Sequence, residues 1–383
     1  MKIGIDISQI VYRGTGVASY TKFLVEGFSR VDKDNQFVLF GSSLRNKKLL
    51  KEFFKGFDRN KFKRKISCFP PKFLEFLWNG IHLFPIENLI GEVDVFHSSD
   101  WLEPPARSAK KITTIHDFAV FKYPQTFSAR GGHDIVANQK RKLFFAKREC
   151  DLIICVSQTT KQDAMEILKI PEKKLRVIYE ASEIMYFPRG EDQIKRVVEK
   201  FGVKDNFLLC VGTREPRKNL DRAIMAFAEI ASKYPELSLL IAGKYGWGDD
   251  NAKFKMQSAK LKQKVKLLGF VEQEDLAALY SGAEAFVYPS LYEGFGLPIL
   301  DAMSCGAPVI TSNVGSMREV AGESAVLIDP ESVDSITEGV LKVLKNPSLR
   351  NELKTKGLKR SGEFSWDKTA LQTLNVYHSL VDK

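Results

Sequence analysis

The chain has 383 residues, of which 44% are hydrophobic and 27% charged; this is the balance of an ordinary water-soluble protein, long enough for two domains of roughly 180 residues each. No apolar run reaches the ~20 residues needed to cross a bilayer, and Met1-Lys-Ile-Gly-Ile-Asp6 passes directly into a strand pattern, so neither a membrane span nor a signal peptide is expected. The five cysteines (68, 150, 155, 210 and 305) are odd in number and lack metal-ligand spacing. They argue against a disulfide framework and read as reduced thiols of a cytoplasmic protein. The net charge of +11 is unevenly placed: residues 1–185 carry 31 Lys and Arg against 21 Asp and Glu, and the remainder 27 against 26.

Short β-branched runs alternate with helical patterns along the whole chain, which predicts an α/β protein with parallel sheets. The first strand reads at 2–7 and leads into Gly14-Thr-Gly-Val17, which opens a helix over 16–30. This loop lacks the third glycine of a dinucleotide fingerprint, because Ser19 occupies that place. Asp32-Lys-Asp34 has a spacing used elsewhere for Mn²⁺, but it sits in a turn between helix and strand and reads as solvated, so no metal is expected. After a strand at 37–40 comes 47–65, with nine basic and two acidic residues among interleaved Leu and Phe. A solvated helix face explains such a stretch, and so does an anionic membrane surface. No nucleic-acid module accompanies the charge, which excludes a nucleic-acid partner from this reading. In 72–90 the apolar positions 73, 74, 77, 81 and 84 share one face if the segment is helical, as core or as a lipid-facing or acceptor-binding flap.

Strands read next at 94–97, ending on His97, and at 111–115, ending on His116-Asp117. Helices at 133–148 and 159–168 alternate with strands at 152–156 and 175–178. His82, His133 and His378 read as structural. The polar segment Met185–Asp205, with Pro188 and Gly190, reads as the linker. A second alternation has strands at 207–211, 238–242, 265–268, 284–288, 308–310 and 325–328. Its helices read at 219–232, 273–281, 297–304 and 332–345, followed by helical patterns at 347–360 and 364–382. The unusual residues fall after the strand ends: Gly14–Gly16, His97–Ser99, His116–Asp117, Ser157, Thr213–Lys218, Gly243–Gly248 and Glu293–Gly296. Open α/β sheets bind ligands in that crevice.

Two of those loops carry the most chemistry. Val211-Gly-Thr-Arg-Glu-Pro-Arg-Lys-Asn219 supplies Lys218 with Arg214 or Arg217, charges suited to a diphosphate. Pro289-Ser-Leu-Tyr-Glu-Gly-Phe-Gly-Leu-Pro-Ile-Leu-Asp301 turns from a buried strand into a helix. Gly294 and Gly296 permit close backbone approach, and the helix start around Leu297 offers amides and a partial positive charge to a phosphate. Glu293 and Asp301 bracket the loop as acceptors. A phosphate cradle between hydroxyl acceptors fits a nucleotide-sugar.

Residues 289–301 resemble the Glu-x7-Glu signature of family 4 of the retaining GT-B glycosyltransferases, with Asp301 standing where Glu is usual. The segment 216–219 is similar to the family's Pro-Arg-Lys-Asn motif. The resemblance covers most of the chain and is strongest at 207–330. It implies a GT-B fold: two doubly wound Rossmann-like domains flanking an interdomain cleft. The first would be an acceptor domain over 1–187 and the second a nucleotide-sugar domain over 188–360, with a C-terminal helix over 361–383 that crosses back. It implies that Glu293 contacts the donor sugar, that Gly294, Phe295, Gly296 and Leu297 line sugar and phosphate, and that Asp301 holds the ribose. Lys218 with Arg214 or Arg217 would stabilise the leaving diphosphate, and Gly14 and Gly16 would approach phosphate and acceptor. His116 and Asp117 resemble a bacterial subset in which the His lies against the donor sugar, a subset that often transfers mannose. His97 would line the acceptor side.

The expected activity is therefore a metal-independent, retaining hexosyl transfer without a cofactor. The donor would be GDP-mannose, with a UDP-hexose as the alternative, and the acceptor a glycan or lipid-linked glycan of the cell envelope. The enzyme would be cytoplasmic, peripheral at the inner membrane face through 47–65 and 72–90. A same-fold sugar-nucleotide epimerase or a phosphorylase is the nearest competitor. A nucleotide-dependent oxidoreductase and a non-catalytic membrane-surface protein are the readings from other classes.

Overall fold

The computed structural model describes residues 1–127, 135–203, 206–246 and 259–381; His133, Asp205 and Gly248, within segments singled out above, lie outside them. Two compact units share the chain: Met1–Lys122, Gly132–Glu180 and Ser365–Lys383 form one, Tyr123–Gly131 and Ala181–Phe364 the other.

In the first unit the strands are β1 (Lys2–Asp6), β2 (Gln36–Ser42), β3 (Phe62–Ser67), β4 (Val95–Ser98), β5 (Lys110–Ile115), β6 (Leu152–Cys155) and β7 (Leu175–Val177). They pair in parallel in the order β3-β2-β1-β4-β5-β6-β7. Ile3 to Asp6 and Phe37 to Ser42 are buried without alternation, the pattern of strands covered on both faces. Helix α1 (Gly16–Val31) begins where the Thr15 hydroxyl accepts the Ala18 amide, an N-cap that satisfies one orphan donor. The C-terminal helix, Trp366–Val381, packs on α1 through Phe23 against Trp366, Phe28 against Tyr377 and an Arg30–Asp367 ion pair at 2.7 Å.

The second unit contains β8 (Asn206–Val211), β9 (Leu237–Ala242), β10 (Val265–Gly269), β11 (Ala285–Tyr288), β12 (Val309–Ser312) and β13 (Ala325–Ile328). Their parallel order is β10-β9-β8-β11-β12-β13. Strand order reverses between β8 and β11, and in the first unit between β1 and β4. At such a reversal the following loops part to opposite faces and leave a crevice above the strand ends. The loops after β8 and β11 therefore border one crevice, and so do those after β1 and β4.

Four sequence expectations change. The basic stretch 47–65 is no single helix: it is α2 (Lys47–Phe53), a 3₁₀ turn and the edge strand β3. β3 exposes Lys63, Arg64 and Lys65, a run of cations that masks the strand pattern while discouraging pairing along the open edge. The segment 72–90 is not one helix either. A short helix, α3 (Pro71–Leu74), passes into a π-wound turn over Glu75–Gly80, and His82 and Phe84 adopt positive φ. Wider winding breaks the i, i+3, i+4 register, so Leu74 and Trp78 are buried while Phe73, Ile81 and Phe84 stay exposed. Within the expected linker, Glu191–Lys200 is a helix, held to the second unit by Val197 and by Ile194, which lies beside Gly282. Gly315–Ala321 adds a helix that was not expected. Among the described residues no helix is long and apolar enough to cross a membrane.

Candidate functional site

In the second unit the loops after β8 and β11 do converge, as the strand order requires. The turn 216–218 ends at Asn219, whose left-handed φ of 57° starts the next helix. The Asn219 amide donates to the carbonyls of Pro289 and Pro330 at 2.9 and 2.6 Å, and the Leu291 amide donates to Arg217 O at 2.9 Å. These bonds splice the two loops together. From the other side, Ser312 and Ser316 hydroxyls donate to the carbonyls of Ser290 and Glu293, both at 2.7 Å. At Gly243, which follows β9, a Cβ would stand 1.8 Å from Gly212 O; no other residue fits there.

The side chains so placed form one buried ionic cluster. Lys218 Nζ donates to Glu293 Oε1 at 2.7 Å and to Tyr288 Oη at 2.9 Å. Arg217 Nη1 donates to Glu293 Oε2 at 2.8 Å and to Tyr292 O at 2.6 Å, while its Nη2 donates to Glu215 Oε1 at 2.6 Å. Glu293 is only 8% exposed. Burial opposes its ionisation, but the Arg217 and Lys218 charges outweigh burial and hold the carboxyl at about 2. Lys218 is desolvated too, yet Glu293 keeps its pKa above the usual value. Burial first, then the Glu293 charge, push the Tyr288 phenol up to about 12. At neutral pH Glu293 and Lys218 are thus both charged, and Tyr288 is neutral.

Next to it, the glycine loop enters the helix Leu297–Ser304 with Gly296 at φ 104°, a position closed to ordinary side chains, and no side chain caps the helix start. Gly294 and Phe295 are buried in the loop. Asp301, one turn into the helix, accepts a 2.7 Å hydrogen bond from the Ser182 hydroxyl. The two candidate arginines separate: Arg217 shares Glu293 with Lys218, whereas the Arg214 guanidinium lies 5.1 Å from the Tyr245 ring centroid.

The first unit has its own cavity above the β1–β4 reversal, lined among others by Asp6, Tyr20, His97, Asp100, Thr114 and His116. His116 Nδ1 bonds Glu180 Oε1 at 3.0 Å, and the Tyr20 ring meets the imidazole edge-on at 4.6 Å. Burial disfavours the imidazolium, but the Glu180 hydrogen bond and charge prevail and raise its pKa. His97 behaves oppositely. Both its ring nitrogens are engaged, Nδ1 with Tyr377 Oη at 2.6 Å and Nε2 with Thr114 Oγ1 at 2.9 Å. Burial, reinforced by Lys142 and His116, lowers its pKa to about 3. His97 is thus a neutral link between β4, β5 and the C-terminal helix at the wall of the cavity. Asp117 accepts the Ala119 amide at 2.8 Å and so starts a short helix. Gly14, at φ 81°, and Gly16 are exposed at the mouth of α1. Asp32, of the Asp-Lys-Asp turn, is taken up by Lys61 at 2.9 Å and by Asn35.

Sequence reasoning missed Glu180, Glu215 and Tyr288. Tyr288 closes β11 and Glu180 follows β7, so the strand-end rule already covered both. Glu215 sits inside the basic motif and was masked by its cations.

The chain is similar to known proteins over most of its length. A model of the glycosyl transferases group 1 matches residues 191–360, and one of glycosyltransferase family 4 matches 14–181. The O-antigen chain mannosyltransferase B of Escherichia coli is 34% identical over 281 residues, which cover 72% of either chain. A serotype-specific mannosyltransferase, WbdA, of the same organism is 32% identical over 60% of this chain but only 29% of its own length. Among solved structures, a sucrose-phosphate synthase from Thermosynechococcus elongatus superposes with a TM-score of 0.75 at 20% identity, over 99% of both chains. Anabaena HepE in complex with UDP and glucose gives 0.73 at 18% identity over 99% of both. Two parallel Rossmann-like sheets with these neighbours make the fold GT-B, and the chain belongs to the group 1, family 4 glycosyltransferases.

Proposed function

We propose that this glycosyltransferase moves mannose from GDP-mannose to a glycan or lipid-linked glycan acceptor during cell-envelope polysaccharide synthesis, on the cytoplasmic side. The mannosyltransferases among its relatives support the sugar and the O-antigen context. A UDP-hexose remains the second donor, favoured by the UDP and glucose bound to HepE.

The observation that carries the reading is the Lys218–Glu293–Arg217 cluster beside an uncapped, glycine-opened helix start. An arriving diphosphate offers Lys218 and Arg217 a stronger anion than Glu293, with Gly294, Phe295, Gly296 and Leu297 around the phosphates. Displaced from its cations, the Glu293 carboxylate becomes an acceptor for a sugar hydroxyl. Asp301 holds the ribose, a role its Ser182 bond pre-orients. In the first unit His116, whose charged form the Glu180 carboxylate favours, donates to a sugar hydroxyl.

Transfer then retains configuration. The acceptor oxygen bonds to the anomeric carbon on the face from which the carbon–oxygen bond to the diphosphate breaks, and the acceptor proton passes to the departing phosphate oxygen. Lys218 and Arg217 stabilise the charge that develops there, without a metal ion. A panel of nucleotide-sugars scored by thermal shift and by hydrolysis tests the assignment: a tight donor raises Tm by mass action, and GDP-mannose should give the largest shift. Equal, negligible shifts across the panel, or a trapped covalent sugar–enzyme adduct, would count against it.

A further inference from the structure

His116 is held on two sides. Glu180 takes its Nδ1 at 3.0 Å, and the Tyr20 ring of α1 stands against the imidazole with centroids 4.6 Å and planes 83° apart. With Nδ1 engaged, Nε2 is the nitrogen left to meet a ligand in the cavity that His116 lines. One hydrogen bond does not stop an imidazole from turning about its side-chain bonds. Asp100 and Asp117, whose charges also act on His116, are competing acceptors. A ring packed edge-to-face on the imidazole resists that turn.

Both supports of His116 lead to the C-terminal helix, Trp366–Val381. Trp366 packs on the other part of the Tyr20 ring, with centroids 5.9 Å and planes 68° apart. The Thr369 hydroxyl donates to Tyr179 O at 2.7 Å, the carbonyl just before Glu180. Tyr377 Oη bonds His97 Nδ1 at 2.6 Å; His97 Nε2 bonds Thr114 Oγ1 at 2.9 Å, and Thr114 Oγ1 bonds Tyr20 Oη at 2.9 Å. Trp366, Thr369 and Tyr377 belong to one buried face of the helix. That face lies directly on α1: a Cβ at Gly27 would stand 2.9 Å from both Ala370 Cβ and Trp366 O. The helix therefore touches α1, β4 through His97 and the Glu180 segment at once, and His116 sits where these supports end.

We infer that Tyr20 is a positioning residue for His116 and that the C-terminal helix sets its place. Trp366 fixes the ring, Tyr377 fixes the hydroxyl through His97 and Thr114, and Thr369 steadies the Glu180 side. The inference rests on the proposed function, in which His116 donates to a sugar hydroxyl; the helix acts on that bond through other residues.

An NMR titration of the full chain with labelled histidine, without donor, tests the placement. Tyr20→Leu removes the ring, and Thr369→Val removes a hydroxyl bound to the Tyr179 and Ser365 carbonyls. In both, the imidazole loosens from Glu180, so its midpoint should fall by at least about 0.3 pH unit toward that of an ordinary imidazole. Tyr20→Phe, which keeps the ring, should lower it less than Tyr20→Leu. Leu371→Ser, on the exposed side of the same helix, should leave it in place. In hydrolysis of GDP-mannose or UDP-glucose, Tyr20→Leu should lower kcat roughly two- to tenfold and change KM less. The same substitution should cost nothing further in a His116→Ala chain. An unchanged midpoint in Thr369→Val would overturn the proposal, and this variant decides alone if Tyr20→Leu does not fold. So would a kcat loss from Tyr20→Leu that is as large without His116, the mark of a merely structural role. If His116→Ala leaves turnover intact while the midpoints fall as stated, the positioning stands and the sugar-hydroxyl role of His116 fails.

Discussion

Glu293→Gln keeps the shape of the buried acid but removes the negative charge that Arg217 and Lys218 share. The wild-type carboxyl is held at about 2 against an ordinary 4.5. Its depressed value means stability that is fully present above 4.5 and lost as pH falls toward 2. The gap corresponds to roughly 3 kcal/mol at neutral pH and roughly 2 kcal/mol near pH 3.5. Breaking a buried ion pair from one side costs a similar ~3–5 kcal/mol, because the partners stay buried without their counter-charge. Urea unfolding of both proteins without nucleotide, at neutral pH and near pH 3.5, measures the difference. Glu293→Gln should unfold earlier by roughly 3 kcal/mol at neutral pH, and the deficit should shrink in acid as the wild-type carboxyl protonates. Added pyrophosphate should restore part of the loss, since it returns an anion to the two cations. A neutral-pH deficit below about 1 kcal/mol, or one that grows as pH falls, would refute the reasoning.

Lys218→Ala should lower kcat/KM for transfer by roughly 10²–10³-fold, the usual cost of removing a group that stabilises developing charge; steady-state kinetics on a chain with unchanged circular dichroism checks this. Arg217→Ala should cost more in the same assay than Arg214→Ala, because Arg217 donates to Glu293 whereas the Arg214 guanidinium stands over the Tyr245 ring. Because the pKa of His116 is raised above 6.5 by Glu180, the pair's stabilisation is full below 6.5 and fades as pH rises through the folded value. An NMR titration of His116 should move toward an ordinary imidazole in Glu180→Gln. Tyr377→Phe should destabilise the first unit by about 1–2 kcal/mol by leaving a buried His97 nitrogen without its partner, while the thermal shift produced by the donor persists.

What the sequence disclosed follows from the physics of each segment. Strands buried on both faces, such as Phe207–Cys210 and Ala285–Tyr288, announce themselves as apolar runs. The loops behind them carry the charged and glycine residues that the strand order later brings together. The convergence of 212–219 with 289–296 was therefore legible before any coordinates. β3 was not, because an edge strand with Lys63, Arg64 and Lys65 looks like a solvated tract. Glu191–Lys200 was hidden by its polar composition, since few of its residues, Ile194 and Val197 among them, pack inward. The π turn after Leu74 could not be read from periodicity at all, because that reading presumes 3.6 residues per turn. Within the site the sequence supplied Lys218, Glu293 and both arginines, but not their pairing. The choice between Arg214 and Arg217 as the partner of Lys218 depends on turn geometry at Pro216, and the engagement of both His97 nitrogens depends on Tyr377, 280 residues away.

The most direct test of the account is the affinity of a nucleoside diphosphate for the wild type and for Lys218→Ala, measured by calorimetry with GDP and UDP. The account predicts that whichever nucleotide binds will lose at least about tenfold in Kd, since a charge-assisted contact to phosphate is worth roughly 1.5–3 kcal/mol. An unchanged Kd would mean that the diphosphate sits elsewhere.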